Sequence, residues 1–136
     1  MIADLVAEGM VTLELRCPWH ASRLLELLSE PCVSVKISDE RFDVYRNGGH
    51  VVVGIGKAPT VRVRLDPATL RALLDGRCTI LRALQSRNLE VFGPTRDLSL
   101  ASRAALTFIH GLVRTPEGPS QLSAIDAALR RMEIDT

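Results

Sequence analysis

Between residues 32 and 65 four successive short runs read as β-strands, and in the first, second and fourth apolar and polar side chains alternate with the period of strands that bury one face. Val33, Val35 and Ile37 fall on one side of residues 32–38, and Ser34 and Lys36 on the other. A Ser38-Asp39-Glu40 turn leads into residues 41–46, where Phe42 and Val44 alternate with Asp43 and Tyr45. So short a link makes these two runs antiparallel neighbours. Asn47-Gly48-Gly49 supplies residues that tolerate positive φ, and residues 50–55 return as a third strand. After Gly56-Lys57-Ala58-Pro59 a fourth run turns Val61, Val63 and Leu65 inward and Arg62 and Arg64 toward water. The spacing predicts a four-stranded meander whose apolar face needs helices to cover it.

The flanking segments supply those helices. Asp66-Pro67 provides an N-cap and a first helical residue, Leu70, Leu73 and Leu74 an apolar face, and Gly76 a stop. Ile80, Leu81 and Leu84 mark a second short helix, and residues 88–92 a fifth strand that ends at Gly93-Pro94. With Asp97 as cap, residues 98–114 set Leu98, Ala101, Ala105, Phe108, Ile109 and Leu112 on one side of the most apolar helix. The small residues in its first half let it lie close to its neighbours or leave room beneath it. Upstream, Pro18 opens a helix carrying Leu24, Leu25, Leu27 and Leu28 that Pro31 stops. Residues 11–16 alternate Val11, Leu13 and Leu15 with Thr12, Glu14 and Arg16 and read as a half-buried strand, with a short helix as the competing assignment. Pro116-Glu117-Gly118-Pro119 resembles a linker, and Leu122, Ile125, Leu129 and Met132 define a helix over 118–133, appended to a core of residues 19–114. Such a helix must bury its apolar face somewhere, as a further core layer, as a lid, in a homodimer or against a protein partner. The expected architecture is one α+β domain spanning residues 1–136, with a five-stranded, mostly antiparallel sheet covered by helices and an added C-terminal helix.

A chain of 136 residues with 46% hydrophobic and 24% charged residues can bury a self-sufficient core. A formal net charge of +1 and only one Trp, one Tyr and three Phe argue against nucleic acid, which needs a basic face and a stacking platform. Cys17, Cys32 and Cys78 form no C-x-x-C pair, so neither a zinc site nor a disulfide framework is indicated. The residues MIADLVAEG lack the basic flank and long apolar run of a signal peptide, and no stretch reaches membrane-spanning length. A cytoplasmic protein is expected.

Chemistry has few places to reside. His20, His50 and His110 are far apart without companion spacing; Cys17 beside Trp19 and His20 is the one cluster of interest, and it lacks an evident third, orienting group. Gly48-Gly49 and Gly54-x-Gly56 do not open a helix after a strand, so they are turns rather than phosphate cradles. No catalytic residue, cofactor or metal is expected. Arg62 and Arg64, with Arg46 nearby, read as a solvated strand face, with an acidic headgroup or a protein partner as the functional alternative.

The order helix, antiparallel strands, two short helices, strand and long apolar helix, over residues 21–113, resembles the sterol-carrier-protein-2 (SCP2) domain family. The best match is the segment VRVRLDPATLRALLDGR, with Leu70, Leu74, Gly76 and Arg77 in the expected places, followed by NLEVFG ending on Gly93. Where that family has a glycine before the last strand, this chain has Arg87, so the turn is expected to differ and the charge to narrow or cap a cavity mouth. The resemblance implies a tunnel between sheet and helices that accepts acyl chains, sterols or isoprenoids, without catalysis. Leu70, Leu74, Leu81, Leu84, Phe92, Ala101, Ala105, Phe108 and Ile109 are the lining candidates. The alternative it implies is an accessory subunit of a biosynthetic assembly with a vestigial pocket.

Overall fold

A computed structural model describes residues 1–56 and 58–135. Six helices and five strands follow one another as α1 (Ile2–Arg16), α2 (Pro18–Leu27), β1 (Val33–Ile37), β2 (Glu40–Asn47), β3 (His50–Gly54), β4 (Val61–Leu65), α3 (Pro67–Leu74), α4 (Ile80–Gln85), β5 (Leu89–Phe92), α5 (Thr95–Val113) and α6 (Gly118–Asp135). This is an α+β fold with a mostly antiparallel sheet in the order β3-β2-β1-β4-β5.

The expected hairpins form. Val33 faces Val44 and Ile37 faces Glu40 across β1 and β2, and Asn47 faces His50 across the Gly48-Gly49 turn, where Gly48 has φ +64°. The fourth strand departs from the meander. Instead of pairing with β3, β4 crosses back and lies parallel to β1, Val33 beside Val61 and Ile37 beside Leu65. Sequence neighbours are usually but not always sheet neighbours, and here β1 offers a free central edge. The crossing segment is tied down at both ends. Gly56 N donates to Asp43 Oδ2 at 2.7 Å, and the amides of Thr60 and Val61 donate to the Cys32 carbonyl at 2.9 and 3.1 Å. Gly56 lies so close that a Cβ there would sit 2.8 Å from Cys32 Sγ.

The N-terminal segment is also corrected. Residues 11–16 are the last part of the helix α1, not a strand. Ile2, Met10 and Leu13 are buried at helical spacing, with Leu5 and Val6 packed beside them, whereas Val11 and Leu15 point outward, so the alternation there was coincidental. Glu40 of β2 caps this helix from 38 residues away, its Oε1 accepting from Ile2 N at 3.0 Å and its Oε2 from Ala3 N at 2.8 Å. Burial works against the Glu40 charge, yet the two amides and the Met1 ammonium outweigh it and hold its pKa below the ordinary value. A carboxylate depressed on folding stabilises the protein above its unfolded pKa and loses that contribution as pH falls through the native one. Glu40→Gln therefore costs about 1 kcal/mol near neutrality, typical of a lost cap. Denaturation curves should show the gap between variant and parent closing in acid; a gap independent of pH would show that the charge is not what matters.

The helical boundaries after β4 follow the sequence closely. Asp66 Oδ1 accepts from Thr69 N at 2.7 Å, Pro67 opens α3, and Gly76 at φ +73° closes it. The long helix α5 starts earlier than expected. Pro94 is its N-cap residue without a side-chain cap bond, and Asp97 lies inside the first turn, where its charge complements the helix dipole. The C-terminal helix α6 buries Ile125, Ala128 and Leu129 against α1, α3 and α5, and Arg71 of α3 pairs with its Asp126 and Glu133 at 3.1 and 2.6 Å. Its apolar face is thus taken up within the chain.

Candidate functional site

Side chains from all six helices join those of the inward face of the sheet. Two clusters of buried side chains fill the space between the layers. In the first, Met10, Leu13, Leu24 and Leu112 meet Val33, Val51 and Val61. In the second, Ile2, Ile125 and Leu129 meet Ile37, Phe42, Leu65 and Leu89. Between them lie Val35, Val44 and Val63 on the central strands, in contact with both clusters. These three stay half-buried although their strand-end neighbours Val33, Ile37, Val61 and Leu65 are buried. Inward positions on central strands are ordinarily the most completely buried in a two-layer domain. Solvent reaches the middle of this layer more readily than its ends.

The nine residues expected from the sequence separate into three groups. Leu70, Leu74 and Leu84 pack against the second cluster, and Ala101 and Phe108 against the first, on opposite sides of the half-buried valines. Ile109 is half-buried and joins neither cluster. Leu81, Phe92 and Ala105 are exposed, the first two at 65% and 59%. Phe92 shares the helix-free face of the sheet because it pairs directly with Arg62. The sequence had marked Val35, Val44 and Val63 as inward-facing, but nothing in their alternation told a filled position from an accessible one.

Cys17 and His20 do come together. Cys17 lies at the junction of α1 and α2, with its Sγ 2.9 Å from His20 Nδ1. The imidazole packs over Gly111 and edge-on to the exposed Trp19. Burial first, then Arg114 and His110, lower the His20 pKa, which favours the neutral ring that can accept from a thiol. The other imidazole nitrogen has no hydrogen-bond partner among the described residues, so the third member of a nucleophilic constellation is not in place. No group of three metal-ligating side chains occurs among the described residues.

The helix-free face of the sheet is polar. One row across four strands reads Arg41, Lys36, Arg64 and Glu90, and the next carries Asp43, Ser34, Arg62 and Phe92. Asp43, at 1% exposure, lies under the crossing loop with Oδ2 bonded to Gly56 and Oδ1 unbonded, 3.8 Å from Arg41 Nε. Burial first, and then Asp43, push the pKa of the neighbouring Cys32 thiol up, so this cysteine is held protonated.

No family model matches the chain, and no curated protein matches it in sequence. Solved structures do match. The UbiJ-SCP2 ubiquinone synthesis protein superposes with a TM-score of 0.54 at 16% identity, over 76% of this chain and 87% of that one. Sterol carrier protein 2 from Yarrowia lipolytica in its apo form gives a TM-score of 0.52 at 16% identity, over 78% of this chain and 86% of that one. The inverting sec-alkylsulfatase Pisa1 from Pseudomonas sp. reaches a TM-score of only 0.46 at 13% identity, and this chain spans 13% of its length. The first two establish a likeness of fold; the third is too slight to bear on it.

Proposed function

We propose that this chain, whose fold is that of the SCP2 domain, holds an apolar small molecule between its sheet and its helices and carries it without transforming it. The observation that supports this reading is the half-burial of Val35, Val44 and Val63 on the central strands. An apolar layer left open to water costs about 25 cal/mol for each Å² that a ligand would cover, so such a layer favours an acyl chain, a sterol or an isoprenoid. Leu70, Leu74 and Leu84 on one side and Ala101 and Phe108 on the other are its proposed walls. Native mass spectrometry of the purified protein, followed by solvent extraction, tests the proposal. A stoichiometric apolar mass is expected. An empty protein whose melting temperature ignores oleate, cholesterol and farnesol alike would rule it out.

A second reading, an accessory subunit gripping a protein partner, draws support from Leu15 and Trp19, which are 75% and 71% exposed near the α1–α2 junction. The apolar face of α6 is already packed in the chain, so a partner would use this junction instead. Leu15→Ser with Trp19→Ser should abolish such an association and leave ligand binding unchanged.

A further inference from the structure

Two residues among those described, Ser38 at φ +53° and Arg87 at φ +63°, hold the left-handed backbone conformation without being glycine. They are 49 positions apart in sequence, yet both line a single depression of about 350 Å³ at one end of the sheet. The conformation at Arg87 has an internal comparison. Helices α3 and α4 end in the same motif: Arg77 N reaches Ala72 O while Gly76 N reaches Leu73 O, and Asn88 N reaches Ala83 O while Arg87 N reaches Leu84 O. The left-handed position is Gly76 in the first and Arg87 in the second. Nothing in the motif asks for a side chain there, and a side chain at positive φ is strained.

What that side chain adds is charge at the depression. Lys36 and Arg64 line it as well. Its two carboxylates are engaged, Asp66 with the amide of Thr69 at 2.7 Å and Glu90 with Arg64 at 3.8 Å. The side chains of Lys36 and Arg87 have no hydrogen-bond or ion-pair partner among the described residues. Leu65 also borders the depression and belongs to the second apolar cluster, with Leu70, Leu74 and Leu84.

We infer that this depression binds a phosphate monoester through Lys36 and Arg87, with Arg64, paired to Glu90, at its rim. Its source is either the head of an amphiphile, for whose tail the buried Leu65 at the rim would have to yield a path into the apolar layer, or a free phosphate compound. The tail rests on the carrier reading; the phosphate site does not. Arg87→Gly is the informative variant, because it removes the charge while relieving the backbone, so it should melt a few degrees higher than the parent and cannot be dismissed as unfolded.

Fluorescence-displacement or calorimetric titration should find lysophosphatidate binding at least tenfold tighter than the monoacylglycerol of the same chain length, the gain of one charge-assisted contact. In Arg87→Gly that preference should fall about tenfold, with monoacylglycerol binding unchanged. Equal affinity for the two lipids, or a preference that survives the substitution, overturns the headgroup site. Amide NMR shifts with glycerol 3-phosphate separate the two sources of phosphate. If neither lipid binds but Lys36, Ser38, Arg87 and Asn88 shift, the carrier reading fails and the site takes a free phosphate compound; if they do not shift, the phosphate site fails too.

Discussion

Leu129→Ala lowers the unfolding free energy by about 3 kcal/mol, the middle of the range for emptying a fully buried leucine site. Leu129 is completely buried in α6, where it meets Ile2 of α1 and Leu65 and Leu89 of the sheet in one cluster. Its surroundings are not free to collapse into the void. The Arg71 guanidinium fastens α6 to α3 through Asp126 and Glu133, and Gln121 Nε2 donates to Thr12 Oγ1 of α1 at 2.7 Å. A domain of this size has roughly 5–15 kcal/mol to lose, so the variant gives up a large part of its stability. Urea titration should show the midpoint falling with the slope unchanged. Leu106→Ala on the exposed side of α5 is the control and should move stability by no more than about 0.5 kcal/mol. If Leu129→Ala costs under about 1 kcal/mol, α6 is peripheral after all.

If the proposed ligand lies against the central valines, Val63→Phe should erase ligand-dependent stabilisation while leaving the empty protein about as stable as before. In a close-packed core an extra ring forces neighbours off their rotamers and costs about 1–3 kcal/mol. Val63 instead is half-buried on the central strand β4, between the two clusters, so a phenyl ring there covers apolar surface that water now reaches. A ligand at a hundred times its dissociation constant contributes roughly 2.7 kcal/mol to the parent and nothing to a variant whose site is filled. Melting curves with and without oleate, cholesterol and farnesol measure both quantities together. A destabilised variant that still responds to ligand would show that the layer is packed at Val63 and that the ligand lies elsewhere.

Several features were legible in the sequence because they are set within a few residues of chain. The Asn47-Gly48-Gly49 turn, the Asp66 cap with Pro67 behind it, and the Gly76 stop each appear where their local chemistry puts them. The inward and outward faces of β1, β2 and β4 also follow the alternation without a slip. Residues 11–16 misled because six residues of alternation satisfy a strand and, read from Ile2 onward, a helix equally well. Of the nine lining candidates, Leu70, Leu74, Leu84, Ala101 and Phe108 reach the clusters, whereas Leu81, Phe92 and Ala105 are exposed. A short helix such as α4 and an edge strand such as β5 carry apolar residues on both sides, and periodicity does not say which side meets the core.

Alternation, turns and caps were determined by the sequence alone, since their energies are local and each is decided by a few neighbouring side chains. Tertiary structure decided the partner of β4, which lies beside β1 instead of β3, with the crossing loop fastened to Cys32 and Asp43. It also decided the capping of α1 by Glu40, the sharing of one depression by Ser38 and Arg87, and the incomplete burial of Val35, Val44 and Val63. Each of these joins groups far apart in the chain, and contacts of that kind depend on how the whole molecule packs.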